Sequence, residues 1–260
     1  MNETLKNFAA LAISVILVHL FYIGYVRPEA SQLIDFALSQ AQTAPRAIVV
    51  LIKDYEQQIC FTLMLWGSFL IAGAYREILK TKYLYAVDLI EDVTLNNSDD
   101  SNARHDLDVN GIIERLDKDV PEDCRKSPLV RTLRSALWRY SSTDNVQNMS
   151  DAIESNLEAI AVKQDSENTM IRYIIWAIPS IGFIGTVRGI GQALSQADEA
   201  LAGNISGMTD SLGIAFNSTL IALLISIFLM FLFHQLQRIQ DSQIVDTQDY
   251  CDKYLLRRIR

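Results

Sequence analysis

The apolar residues of this chain are gathered into four blocks, 8–26, 59–75, 170–195 and 211–233, with strongly polar stretches between them. Each block approaches the roughly 20 residues that carry a helix across about 30 Å of hydrocarbon. Half of the 260 residues are hydrophobic, which alone would suit one large soluble domain. The clustering decides for an all-α, polytopic membrane protein with four transmembrane helices and long cytoplasmic helical extensions. The net charge of -8 then belongs to the exposed segments and argues against a basic nucleic-acid-binding surface.

The first block follows a short polar start with Lys6. Its apolar run is longer than the roughly 7–15 residues of a signal-peptide core, and no A-x-A site closes it, so it reads as an uncleaved first span. His19 inside it is expected to bond a neighbouring helix as a neutral imidazole. Residues 27–58 hold both signs of charge, Pro28, Pro45 and a short apolar run at 47–52, and read as an extramembrane hairpin of amphipathic pieces. Arg76, Lys80 and Lys82 follow the second block and place its end in the cytoplasm. The tail, with Lys253, Arg257, Arg258 and Arg260, is placed there as well, so both termini are cytoplasmic.

Residues 78–169 form a cytoplasmic helical region. The Asn, Asp and Ser cluster at 96–108 buries too little apolar surface to be more than a linker. Beyond it, Ile112, Ile113 and Leu116 precede a break at Pro121, and Leu129, Leu133 and Leu137 recur at helical spacing. Ile153, Leu157, Ile160 and Ala161 belong to a later helix, with Ser141, Ser142 and Thr143 as cap candidates. With no Pro or Gly until Pro179, that helix is predicted to run unbroken into the third block. Cys60, Cys124 and Cys251 have neither disulfide nor metal-ligand spacing, and the three histidines are scattered. No metal, cofactor or enzyme follows: there are no paired carboxylates, and glycine-rich 185–191 lies within a membrane helix rather than after a strand.

The last two blocks are the informative pair. Gly182, Gly185 and Gly189 bare one face of the third. Ser211, Ala215, Ser218 or Thr219, Ala222 and Ser226 make a small-residue stripe on the fourth, and such stripes let helix backbones approach closely. Thr186, Asn217, Ser218 and Thr219 place polar groups at mid-membrane, where they hold water or bond a partner. The blocks contain no Asp or Glu, so a proton path through them needs a carboxylate from another chain. Arg188, deep in the third block, costs about 2.5–3.5 kcal/mol on insertion scales unless it reaches water or an acid. It either snorkels to the nearer interface or pairs with an acidic group of a partner.

The segment Pro179-x-x-Gly182-x-x-Gly185-Thr186-Val187-x-Gly189-Ile190, with Ala215-x-x-x-Thr219 after it, resembles the signature of the MotA/TolQ/ExbB proton-channel family. The resemblance covers roughly the last hundred residues; the first two spans agree only in hydropathy. It implies that Thr186 and Thr219 are pore threonines and that Pro179 kinks its helix. It also implies a homopentamer around a single-span ExbD/TolR/MotB-like partner whose transmembrane aspartate takes the proton. The small stripes then become the surfaces for subunit packing and for the partner's helices. The chain departs from the transport branch in having Arg188 after Gly-Thr-Val and Ile214 where that branch has a glutamate, and its four-span layout is similar to the flagellar stator branch. Residues 1–77 are then an N-terminal hairpin with a periplasmic segment, 170–235 the channel core and 236–260 the tail. The competing expectation is a non-conducting scaffold or signalling bundle.

Overall fold

A computed structural model describes residues 3–39, 47–90 and 109–257. Among these residues all regular structure is helical, and four helices are long and apolar enough to cross a membrane. The all-α, four-span reading is borne out. The predicted linker at 96–108 lies outside the described residues. The chain divides into two compact units, one of Met1–Ala72 with Thr169–His234 and the other of Gly73–Asn168 with Gln235–Arg260.

The first unit carries the apolar spans. In α1 (Glu3–Phe21), Ala10, Ser14 and Val18 recur every four residues and are buried, a stripe that Tyr22 and Val26 continue. The helix does not stop where its apolar block ends. A π-turn at Tyr22–Val26, in which the Arg27 N–H donates to the Tyr22 carbonyl, shifts the hydrogen-bond register just before Pro28. Pro28 has no N–H to give, so the shift lets α2 (Arg27–Ser39) follow without a break. The hairpin expected over 27–58 is therefore corrected in its first part, which prolongs the helix of the first span. Residues 40–46 lie outside the described residues, and α3 (Ile48–Leu51) is one turn.

Helix α4 (Tyr55–Thr81) starts one turn before its apolar block. Gln58 joins it to α1 and α2: its Oε1 accepts from Arg27 Nη2 at 2.8 Å. With that oxygen taken, its Nε2 donates to His19 Nδ1 at 2.9 Å. His19 is thus bonded to a neighbouring helix, with Nδ1 as acceptor. The Arg27 guanidinium also lies 4.4 Å from the Tyr55 ring centroid.

The later helices are α7 (Val146–Ser195), α8 (Ala197–Leu201) and α9 (Ser206–Cys251). The polar break expected at 196–210 holds α8 and then Gly203, whose φ of 101° favours glycine. Gly67 brings α4 against both long helices: a Cβ there would meet Ile174 at 3.4 Å and Leu229 at 3.5 Å. Away from the helix contacts, much of the spans' surface is open. Trp176 is 77% exposed and Phe8 70%, an apolar surface too large for water and ordinary in lipid.

The second unit packs like a soluble protein. Helices α5 (Val109–Asp119) and α6 (Pro128–Thr143) bring Ile112, Leu116, Leu129, Leu133 and Leu137 into one core with Met149, Ile153 and Leu157 of α7 and Tyr250, Cys251 and Leu255. Helix α6 begins with Pro128 in its first turn and Ser127 as cap, whose hydroxyl accepts the Val130 N–H. Ser141, Ser142 and Thr143 do not cap the next helix. They finish α6, their hydroxyls donating to the carbonyls of Trp138 and Arg139. The break comes at Asp144, which is left-handed at φ 47°. The cap then falls to Asn145, whose Oδ1 accepts the Gln147 N–H at 2.8 Å.

A polar ladder also runs inside this unit. Asn168 Nδ2 donates to Gln240 Oε1 at 2.7 Å, and Gln240 Nε2 returns a longer bond of 3.4 Å. Gln164 donates to Gln243, which donates to Thr81. Thr247 donates to the Gln243 carbonyl and so accepts from Tyr85 Oη at 2.8 Å. Tyr250 Oη accepts the Leu89 N–H and donates to the Val87 carbonyl.

Asn168 and Gln240 are each 5% exposed, so removing one amide strands the other. Asn168→Leu is expected to lower stability by about 1–3 kcal/mol, and adding Gln240→Leu to recover much of that loss. Thermal unfolding of the full chain in detergent checks it; additive losses would show that the two amides do not depend on each other.

Candidate functional site

Helices α7 and α9 meet through residues with almost no side chain. A Cβ on Gly182 would lie 2.5 Å from Ala222 Cβ, one on Gly185 2.6 Å from Ser218 Cβ, and one on Gly189 2.7 Å from Ala215 Cβ. The pairs run in opposite directions along the chain, so the helices are antiparallel. Ala215, Ser218 and Ala222 are buried, as are Ser211 and Ser226. The two small stripes are thus spent on each other within one chain. This corrects the expectation that they form surfaces for subunit packing and for a partner's helices: with no side chain between them, the backbones close on each other first.

So close an approach brings backbone carbonyls of each helix within reach of the other's hydroxyls. Helix α7 runs unbroken through Pro179, whose missing N–H deprives the Ile175 carbonyl of its usual donor four residues on. Ser226 Oγ of α9 donates to that carbonyl at 3.1 Å. Two turns beyond Pro179 along α7 stands Thr186 and, facing it from α9, Thr219. Their hydroxyls are hydrogen-bonded to each other. Thr186 Oγ1 also lies 3.1 Å from the Ala215 carbonyl and 3.3 Å from that of Gly182, and Thr219 Oγ1 lies 3.2 Å from the Gly182 carbonyl.

Two hydroxyl protons therefore face each other and two helix carbonyls. One order is Thr219 to Thr186 to the Ala215 carbonyl; the other is Thr186 to Thr219 to the Gly182 carbonyl. Hydroxyl rotors exchange such orders without moving a heavy atom. The pair can hand hydrogen bonds across the helix seam, while neither hydroxyl carries charge itself.

Ser218 donates to the Ile214 carbonyl at 3.0 Å and packs against Gly185. Asn217 stays half-buried with no hydrogen-bond partner among the described residues. The structure thus joins Thr186 to Thr219, sets Ser218 beside them on the seam, and leaves Asn217 apart.

Arg188 has a carboxylate within its own chain. Its Nε donates to Glu56 Oε1 at 2.6 Å and its Nη2 to Glu56 Oε2 at 2.9 Å, a bidentate pair between α7 and the first turn of α4. Glu56 lies three residues ahead of the apolar block 59–75 and so reads as part of the polar hairpin. Two signals in the sequence point to it: a lone guanidinium in a span needs an acid at its own depth, and a helix usually starts before its apolar stretch does.

The resemblance carried by residues 179–190 and 215–219 is borne out. Residues 125–249 match the MotA/TolQ/ExbB proton channel family, a stretch that takes in all of α6, α7 and α8 and nearly all of α9. No curated protein and no solved structure matches the chain. With four helices fit to span a membrane, this is a multi-pass membrane protein, and nearly half of its length is similar to a proton channel family.

The tie between Pro179 and Ser226 has a signed consequence. Ser226→Ala leaves the Ile175 carbonyl unpaired and is expected to cost about 1–3 kcal/mol. Pro179→Ala restores an N–H to that carbonyl, so the same serine replacement in its background is expected to cost little. Thermal unfolding of the four chains in detergent gives the cycle; equal serine penalties in both backgrounds would refute the coupling.

Proposed function

We propose that this chain is the proton-channel subunit of an ion-driven rotary motor in a bacterial inner membrane. Five copies form a ring around the transmembrane helices of a single-span partner, and the partner's aspartate takes the proton. The observation that carries this reading is the threonine pair: two hydroxyls bonded across an antiparallel seam, inside the segment that matches a proton channel family. In this reading Thr186 and Thr219, with Ser218 and Asn217 nearby, line the path, Pro179 shapes its helix, and 170–235 is the channel core. Residues 1–77 supply two further spans. The regions 78–169 and 236–260, with both termini, lie in the cytoplasm, consistent with Arg76, Lys80 and Lys82 after the second apolar block.

The ring would be built on faces other than the glycine seam, because that seam is already filled. Exposed Phe183, Ile184 and Val187 on α7 and Phe216, Leu220 and Leu223 on α9 are the surfaces left for other copies, the partner and lipid. The second reading, a non-conducting scaffold or signalling bundle, draws on the same pair: both hydroxyls find acceptors within the chain, as a purely structural lock would require.

Proton uptake into vesicles separates the two. The full chain is co-expressed with a neighbouring single-span protein and compared with the Thr186→Val, Thr219→Val chain, which keeps the side-chain shape and loses both hydroxyls. Uptake is expected to fall by about a hundredfold, the usual scale for loss of a proton-transfer group. Uptake equal to that of the parent would sink the assigned role of the threonines.

A further inference from the structure

The four apolar blocks hold no Asp or Glu, yet one carboxylate of this chain is built into the first unit. Glu56 is 10% exposed in its side chain, whereas Arg188 is 38% exposed. The acid is the enclosed member of the pair and the guanidinium the open one. At Gly185 the missing side chain leaves a notch: a Cβ there would sit 3.2 Å from Glu56 Cγ and 2.6 Å from Ser218 Oγ. The glutamate stem and an α9 hydroxyl therefore share one small space, and the next residue along α7 is Thr186. Beside Glu56, Gln57 is fully buried and its Oε1 has no partner; Tyr22 Oη of the first helix is likewise buried and unpaired. Unpaired buried oxygens of this kind are where internal water is held.

We propose that Glu56 is a proton-carrying carboxylate of this chain, stationed on the outer side of the threonine pair, with Arg188 as the counter-ion that releases and recaptures it. The proposal rests on the proton-channel reading above. A proton arriving from the outer aqueous side forms an O–H bond on Glu56, which becomes neutral. The guanidinium loses its charged partner and turns toward its open side. The proton then leaves Glu56 for the partner's carboxylate by way of the hydroxyls at the seam, the glutamate recovers its charge, and Arg188 returns. One proton enters and one leaves, and nothing is oxidised or reduced.

The charged and titratable groups around this station are few. Arg188 faces it from α7, Cys60 stands one turn on in α4, and Lys53 and Asp54, paired with each other at 3.3 Å, precede it. Arg27 lies over Tyr55, and His19 is held by Gln58. From α9 the notch receives the uncharged Ser218.

The test uses the full chain with its single-span partner in vesicles, reading proton uptake with a pH-sensitive dye. Glu56→Gln alone leaves Arg188 without its acid and can fail to fold, so the deciding chain is Glu56→Gln with Arg188→Gln, a neutral pair that strands no buried charge. Its uptake is expected to drop about a hundredfold while the complex keeps its parental size. Arg188→Gln alone keeps the carboxylate and loses the counter-ion that recaptures it, so its uptake is expected to fall to a level between those of the parent and of the double variant. Parental uptake by the double variant, or equal uptake by Arg188→Gln and the double variant, would show a structural clamp and overturn the proposal. No uptake by the parent complex would instead overturn the channel reading itself, and this inference with it.

Discussion

The antiparallel seam between α7 and α9 is the contact on which the site depends. Gly182, Gly185 and Gly189 set against Ala222, Ser218 and Ala215 leave no room for a side chain at any of the three glycines. Helices in lipid gain nothing from hiding apolar surface from one another, so close packing and hydrogen bonds must hold them together. The first follows from the missing side chains, and the second follows from the first. Only at such a short separation does Ser226 reach the Ile175 carbonyl, Thr219 the Gly182 carbonyl and Thr186 the Ala215 carbonyl. The polar contacts of the seam are a product of its bareness.

Much of this architecture was legible in the sequence, for identifiable reasons. A span is a one-dimensional property of composition, so four apolar blocks gave four long helices. The soluble helices followed from Leu129, Leu133 and Leu137 at spacing four and from Pro121 as a stop. The misplaced details are those that local chemistry leaves undecided. Ser141 to Thr143 suit a helix cap and also suit a last turn, where their hydroxyls bond back to earlier carbonyls. Pro28 reads as a break until a π-turn absorbs its missing donor.

The site was half legible. The glycine and threonine spacing singled out both helices, but spacing does not say whether two stripes face each other or another chain. Glu56 escaped because apolar blocks were counted by composition, whereas α4 begins at Tyr55, one turn earlier. The buried amides of the second unit had no local sign at all. Gln240 and Gln243 lie in a run of polar residues that suits an exposed face, and only tertiary packing turns them inward against Asn168 and Gln164.

The two units satisfy their buried polar groups by different chemistry, and the difference follows from donor counts. A hydroxyl carries one proton and sits close to its helix, so a single nearby carbonyl satisfies it. That suits the apolar unit, where Ser226, Thr186 and Thr219 all lean on backbone oxygen. A side-chain amide brings two donors and an acceptor and needs a partner of its own kind, as Asn168 and Gln240 provide for each other. Such reciprocal pairs belong in a unit whose remaining edges can reach water. Glu56 and Arg188 depart furthest from this in the apolar unit, a full charge pair that joins two helices. Holding charges there is costly, and the carboxylate is the more enclosed of the two. A contact needed only for packing would have no use for an ionisable group at that position, whereas a route that moves a proton does.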